Sequence, residues 1–319
     1  HFVEGSYPYQ LPTVLGHESA GVVEEVGSDV HYVEKGDHVI TCLSAFCGHC
    51  EFCITGHMSL CQSSEVQRAK TDAPRLSKQG EHVHQFLNLS SYAEQMLVHE
   101  HAIVKIRKDM PLDRAALIGC GVTTGVGAVH NTAGVEPGST VAVIGCGGVG
   151  LACINGAAIA GAGKIIAVDM IKSKLELATT FGATHLVNAA EGDPVEQIRE
   201  ITDGGVDYSF EAIGLKIAAE QAFRMLKRGG TATVIGMIPV GTMIEIHGVD
   251  FLSEKKIQGC AMGSNRFRVD MPNYIEMYLA GKLHLDQMIS QTLPLDRVND
   301  ALESMKQGEV ARTVLSFER

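Results

Sequence analysis

Apolar and polar positions along this chain change rhythm near residue 122. Before it, short β-branched runs sit between glycine and acidic residues, as in Gly21-Val-Val-Glu-Glu-Val26 and His38-Val-Ile-Thr41. Such runs predict short strands, with Gly36-Asp37 turning the chain into the second. The polar stretch 67–80 predicts a surface loop. After residue 122, compact apolar runs alternate with helix-spaced ones. Val141-Ala-Val-Ile144, Lys164-Ile-Ile-Ala-Val-Asp169, His185-Leu-Val187, Val206-Asp-Tyr-Ser-Phe-Glu211 and Thr231-Ala-Thr-Val-Ile235 read as strands. A small-residue helix runs to about residue 162, and helical patterns follow at 171–181, 194–201 and 215–226. This alternation predicts an open parallel sheet. Residues 272–281 and 295–308 look helical, and Arg312-Thr-Val-Leu-Ser-Phe317 looks like a closing strand.

A length of 319 residues leaves room for two domains with proper cores. The 35 glycines, on a Val/Ile/Ala-rich background, suit tight turns and helices packed closely on a sheet. A net charge of −11 disfavours nucleic-acid or anionic-membrane partners, which need basic patches. No run is expected to reach the roughly 18 apolar residues of a membrane-spanning helix. The apolar stretch 141–159 is broken by five glycines. Four of the nine cysteines crowd into 47–61, which reads as metal binding in a reducing cytoplasm rather than a disulfide framework.

Two motifs carry chemistry. Gly145-Cys-Gly-Gly-Val-Gly150 follows one predicted strand and opens a predicted helix, and Asp169 ends the next strand. Glycines at 145, 147, 148 and 150 permit a tight turn, close approach to a pyrophosphate and close helix packing. The helix N-terminus then favours the phosphate charge. Asp169 would accept hydrogen bonds from ribose hydroxyls and repel a 2′-phosphate, so NAD is favoured over NADP. A glycine turn without a ligand is the competing reading. The second motif is Cys47, Cys50, Cys53 and Cys61, spaced C-x2-C-x2-C-x7-C. Four thiolates suit a closed tetrahedral zinc site, and they equally suit an iron–sulfur cluster. His49 and His57 are possible competing ligands, and Cys146 and Cys153 read as small buried residues.

Together these features resemble the zinc-dependent medium-chain alcohol dehydrogenases. Gly16-His17-Glu18 with Ala20-Gly-Val-Val23, Gly36-Asp-His-Val39, the cysteine quartet, Leu117-Ile-Gly-Cys120-Gly-Val-Thr-Thr124-Gly, the glycine loop with Asp169, and Arg312-Thr-Val-Leu each match a family segment. The implied fold is α/β. A Rossmann doubly wound parallel sheet (122–264) binds NAD, and a GroES-like β-rich catalytic domain (1–121 and 265–319) carries a structural-zinc lobe.

The resemblance implies a catalytic zinc held by His17, Cys120 and a cysteine that relatives carry upstream of the segment matching His1. That cysteine is not in this sequence. Glu18 would sit behind the metal or act as an alternate ligand, and the quartet would hold a structural zinc. The spacing of His1 to His17 matches the histidine that ends the family's proton relay. Thr124 and Val149 match nicotinamide-side contacts, Lys174 an adenosine-ribose contact and Arg312 a pyrophosphate contact. Leu43, Phe86 and Leu87 fall where the family lines its substrate pocket. Glu65 stands where the glutathione-dependent formaldehyde branch has an arginine, which favours simple alcohols and aldehydes. Leu215 stands where some relatives place an arginine against the cofactor. The expected assembly is a homodimer or homotetramer through the NAD-binding domain. Two other readings remain: a zinc-free reductase of the same plan, which would lack the quartet and the His17/Cys120 pair, and a truncated, catalytically impaired NAD- and zinc-binding protein acting as an oligomer partner.

Overall fold

The computed structural model describes residues 2–68, 71–307 and 311–317. The chain divides into two compact units. One takes in 9–123 and 265–319, and the other 124–264 with the segment before residue 9.

The first unit is β-rich. Its strands are β1 (Thr13–Val14), β2 (Ala20–Val22), β3 (His38–Thr41), β4 (Leu76–Lys78), β5 (Glu81–Gln85) and β6 (Ile103–Ile106). They form two three-stranded sheets, ordered β1-β5-β4 and β2-β3-β6. The Gly36-Asp37 turn is held from outside. Lys105 of β6 lies 2.7 Å from the Asp37 carboxylate and holds its pKa below the usual range.

The predicted loop at 67–80 is corrected by the fold, because β4 pairs antiparallel with β5. Gln79 and Gly80 both have positive φ, the geometry of a two-residue hairpin turn. Gln-Gly is a poor hairpin signature compared with Asn-Gly, which hides the turn in a polar stretch.

The second unit holds six parallel strands. These are β7 (Thr140–Ile144), β8 (Lys164–Asp169), β9 (His185–Asn188), β10 (Val206–Glu211), β11 (Leu226–Val234) and β12 (Lys256–Gly259). Their order is β12-β11-β10-β7-β8-β9. The order reverses direction between β7 and β10, and ligands of such sheets bind outside the strand C-termini at that point. Val141 and Val143 face one side of β7, Ala142 and Ile144 the other, and all four are buried. Burial on both faces is why β7 reads as a continuous apolar run instead of alternating. The helix Gly148–Ile159 is apolar all round because it is buried from Gly150 to Ala157. Phe181, Phe210 and Phe223 close the core, each stabilising it by about 1.5–3 kcal/mol.

Three further elements depart from the sequence expectation. Strand β12 was not legible. The helix expected at 272–281 runs Phe267–Leu279, with Pro272 inside it. The closing strand β14 (Arg312–Ser316) finds an unanticipated parallel partner in β13 (Ile289–Pro294).

The membrane expectation also needs correcting. Leu112–Ala133 is a helical run of 22 residues, long and apolar enough to cross a membrane by length and composition. Its glycines and threonines hid it. Within its most apolar window, 72% of the residues are buried inside the protein, as in a core helix.

Candidate functional site

His17, Glu18 and Cys120 each offer one ligand atom, and these atoms lie within 4.8 Å of one another. Local backbone needs explain the sequence around them. Gly16 has φ +90°, and a Cβ there would meet Ser91 Oγ at 2.5 Å. Ser91 N–H donates to the Gly16 carbonyl at 2.9 Å, fixing the turn that presents His17. Cys120 sits on a widened π-type turn, Ile118–Val122. Such turns re-aim side chains and recur at functional sites. Glycines flank it because both neighbours are crowded. A Cβ on Gly119 would lie 3.0 Å from the Thr41 carbonyl oxygen, and one on Gly121 would overlap Arg312.

Glu18 is engaged on both carboxylate oxygens. Gly121 N–H donates to Oε1 at 3.0 Å, and Arg312 forks across both oxygens at 3.2 Å. Arg312, expected at a pyrophosphate, is therefore directed here to Glu18. Burial pushes the His17 pKa down, with Glu18 opposing and Arg312 assisting. A neutral imidazole is the form that can ligate a metal. The Phe86 ring meets the His17 ring edge-on at 5.8 Å.

The cysteine quartet converges within the same unit, its sulfurs lying within 4.8 Å of one another. The Sγ···Sγ separations are 3.5 Å for Cys50–Cys53, and 3.9 Å for Cys47–Cys53 and Cys50–Cys61. Tetrahedral zinc with Zn–S bonds of about 2.3 Å requires S···S edges of about 3.8 Å. A disulfide needs about 2.05 Å. The donor set thus fits zinc. Cys50 N–H donates to Cys47 Sγ and Cys47 N–H to Cys61 Sγ, placing backbone dipoles against thiolate charge. Hydrogen bonding from the His49 backbone draws the Cys47 pKa down to about 6, while burial pushes Cys53 up to about 12. A cation among the four sulfurs would offset the mutual repulsion of their thiolates. His49 pairs with Glu65 at 3.2 Å and His57 hydrogen-bonds Thr55 at 3.2 Å, so both are occupied away from the quartet.

In the second unit the glycine loop joins β7 to the helix Gly148–Ile159. Gly145 has φ +97°, and a Cβ on it would strike Ile213 at 2.5 Å. A Cβ on Gly150 would overlap the Gly145 carbonyl, so Gly150 is a packing requirement. At Gly147 a Cβ would meet nothing within 4 Å, leaving room beside the backbone for a phosphate. Gly148 and Val149 begin the helix and are half-buried. Asp169 Oδ2 accepts the Cys146 N–H at 2.8 Å, and Oδ1 accepts the Ile171 N–H at 3.0 Å. The acid therefore also shapes the loop, with lone pairs left over. Lys174 lies in the helix Lys172–Thr180 after Asp169, and Thr124 is buried with its hydroxyl at 3.5 Å from Met262 Sδ. Burial raises the Cys146 pKa to about 12, an inert thiol. His1 lies outside the described residues.

One residue escaped the sequence reading. Glu211 is fully buried at the end of β10. Its Oε1 accepts N–H bonds from Ile213 at 2.8 Å, Gly214 at 2.6 Å and Leu215 at 3.4 Å, and its Oε2 from Gly236 at 3.1 Å. It ties together the loops leaving β10 and β11. A carboxylate ending a predicted strand of the parallel sheet was the available signal.

Known proteins align with both units. The family described as alcohol dehydrogenase GroES-like domain matches residues 1–108, and that described as zinc-binding dehydrogenase matches 148–279. Alcohol dehydrogenase 1 of Pisum sativum is 37% identical, over 97% of this chain and 83% of its own length. S-(hydroxymethyl)glutathione dehydrogenase of Haemophilus influenzae is 39% identical, over 99% and 85%. The crystal structure of benzyl alcohol dehydrogenase from Acinetobacter calcoaceticus superposes with a TM-score of 0.91 at 34% identity, covering 98% of this chain and 86% of that one.

Proposed function

This chain belongs to the zinc-dependent medium-chain alcohol dehydrogenases, and from that premise we propose that it interconverts primary or secondary alcohols with aldehydes or ketones at His17 and Cys120, using NAD. The observation that carries this assignment is the convergence of His17, Glu18 and Cys120. Zinc held there would supply Lewis acidity that lowers the hydroxyl pKa of an alcohol, and bound NAD would supply the hydride acceptor.

The chain's residues do the positioning. His17 and Cys120 Sγ would hold the catalytic ion, together with the cysteine that relatives carry. Glu18, held by Arg312 and the Gly121 N–H, sets the charge behind that ion and keeps the Cys120 turn in place. Cys47, Cys50, Cys53 and Cys61 hold a second, structural zinc. Gly145, Gly147, Gly148 and Gly150 with the helix N-terminus would cradle the pyrophosphate, Asp169 and Lys174 would orient the adenosine ribose, and Thr124 and Val149 would border the nicotinamide. Arg312 commits two of its five N–H donors to Glu18, which leaves others for a phosphate. His1 would accept the outgoing proton, the role its spacing to His17 implies. Leu43, Phe86 and Leu87 give the alcohol an apolar bed.

Metal analysis of the protein prepared with zinc should return two ions per chain, together with benzyl-alcohol-dependent reduction of NAD. One ion with no turnover would favour a non-enzymatic NAD-binding reading. Asp169→Gly should lower the preference for NAD over NADP by about 10- to 100-fold, from loss of a charged acceptor. An unchanged ratio of kcat/KM values for the two cofactors would remove Asp169 from ribose recognition.

We place the protein in a reducing compartment, where the thiolates stay available to metal. We also assign it a homo-oligomeric state, dimer or tetramer, formed through the NAD-binding unit. There the stretch 237–252 exposes Met237, Val240, Met243, Phe251 and, at 85%, Leu252. A monomeric mass in light scattering would contradict this.

A further inference from the structure

Phe86, whose ring meets the His17 ring, is buried and opens a backbone stretch of unusual geometry. Leu87, Asn88 and Ser90 have φ of +50°, +60° and +56°. A leucine rarely adopts the left-handed region, so neighbouring contacts must hold Leu87 there. Ser90 supplies some of them. Its Oγ accepts the Phe86 N–H at 2.7 Å and donates to the Val14 carbonyl at 2.7 Å. The Leu89 and Ser90 N–H groups both donate to the Phe86 carbonyl, at 2.9 and 3.1 Å.

Tyr9 supplies the others. It lies on the segment that leads into β1 and then to His17. Its hydroxyl donates to the Gln85 carbonyl at 3.1 Å and accepts the Leu87 N–H at 3.1 Å. One oxygen thus bridges the backbone on both sides of Phe86, which a phenol can do because it is donor and acceptor at once. The Tyr9 ring also packs edge-on against the Phe86 ring, with centroids 5.0 Å apart at 61°. Phe86 therefore touches the Tyr9 ring as well as the His17 ring. A wall released from the Tyr9 bridge would move. A mobile wall weakens binding in step with the apolar area that the substrate lays on it. Ethanol lays down little, whereas benzyl alcohol and 1-octanol lay down much more.

We propose that Tyr9 is a positioning residue for substrate selectivity: by pinning Phe86 against His17 and Leu87 in its left-handed turn, it fixes the apolar wall behind the metal ligand and so favours alcohols with a carbon skeleton large enough to press on that wall. The inference rests on the alcohol dehydrogenase reading and on the apolar bed assigned there to Phe86 and Leu87.

Steady-state kinetics on the intact zinc-loaded protein test it, with ethanol, 1-octanol and benzyl alcohol as substrates. Tyr9→Phe removes the bridge and keeps the ring, and Tyr9→Leu removes both. Tyr9 is 36% exposed, so neither change opens a cavity in the core, and Tm should move by only a few degrees. In Tyr9→Phe, kcat/KM for benzyl alcohol and 1-octanol should fall about three- to tenfold, the size of one or two neutral hydrogen bonds. Tyr9→Leu should lower it further. The loss should lie in KM, with kcat held by an intact metal site, and the fall for ethanol should stay within about twofold. Amide hydrogen exchange at 86–90, read without substrate, should quicken by about three- to tenfold in Tyr9→Phe. A merely structural role would instead lower Tm and cut all three alcohols alike. Equal losses for the three alcohols, unchanged selectivity, or unaltered protection at 86–90 each overturn the inference and leave the alcohol dehydrogenase reading standing. No turnover of any alcohol by the unsubstituted protein overturns both.

Discussion

Cys120→Ser is expected to lower kcat for alcohol oxidation by about 10³-fold or more while leaving the fold intact. A serine hydroxyl at neutral pH is a poor replacement for a thiolate ligand, so the ion is lost or held out of place. Lewis-acid polarisation contributes several kcal/mol to such a reaction, and each ~1.4 kcal/mol is a factor of ten in rate. The fold should survive because the substitution changes one atom of a half-buried side chain and leaves Gly119 and Gly121 in place. Three measurements check this together. Zinc content should fall from two ions per chain to one, NADH binding should persist, and Tm should stay within a few degrees. Retained activity would show that the catalytic ion is held elsewhere. A companion change, Gly121→Ala, should act indirectly. Its methyl would occupy the space of the Arg312 guanidinium and break the Arg312–Glu18 fork, lowering kcat without removing a ligand.

Cys50→Ser should have the largest effect on stability. Cys50 Sγ lies 3.5 Å from Cys53 Sγ and 3.9 Å from Cys61 Sγ, at the centre of the quartet. The lobe around it has little core of its own. Ala45, Cys53, Cys61, Val66, Leu89 and Ala102 are its buried apolar residues, and two of these are ligands. Structural zinc binding is worth about 10–16 kcal/mol in small peptides at neutral pH, and much of that is folding free energy. Losing even several kcal/mol in a chain of this size should lower Tm by about 10 °C. Hydrogen exchange should rise first in 47–61, while the glycine loop, in the other compact unit, continues to bind NADH. Protons compete with zinc for thiolates, so loss of zinc to a chelator should quicken as pH falls. An unchanged Tm and full zinc content would mean that Cys50 is not a ligand.

Much of this site was legible before any coordinates. The glycine loop could be read because each glycine answers a local demand of backbone geometry, and local demands are written in adjacent residues. The quartet could be read because short spacing lets one loop wrap one ion. Strands β7 and β8 were legible because burial on both faces leaves an apolar run between turn residues. The hairpin β4–β5, strand β12 and the pairing of β13 with β14 were not. Those segments are short and mixed in polarity, and their partners, rather than their composition, make them strands.

The metal candidates mark the boundary between the two kinds of information. By itself the sequence determined that a doubly wound nucleotide-binding sheet and four clustered thiols occur in one chain, because periodicity and spacing are properties of the chain, while the His17/Cys120 pair came from the family resemblance. It also set Asp169 at the end of the second strand. Only the tertiary structure decided that His17, Glu18 and Cys120 share one small volume. Only it decided that Arg312, 294 residues from Glu18 in sequence, closes on that acid, and that buried Glu211 satisfies four backbone donors. The Tyr9 hydroxyl, bridging the backbone on both sides of Phe86, was likewise invisible beforehand. Charge pairing, burial and enclosure depend on which distant segments the packed core brings together.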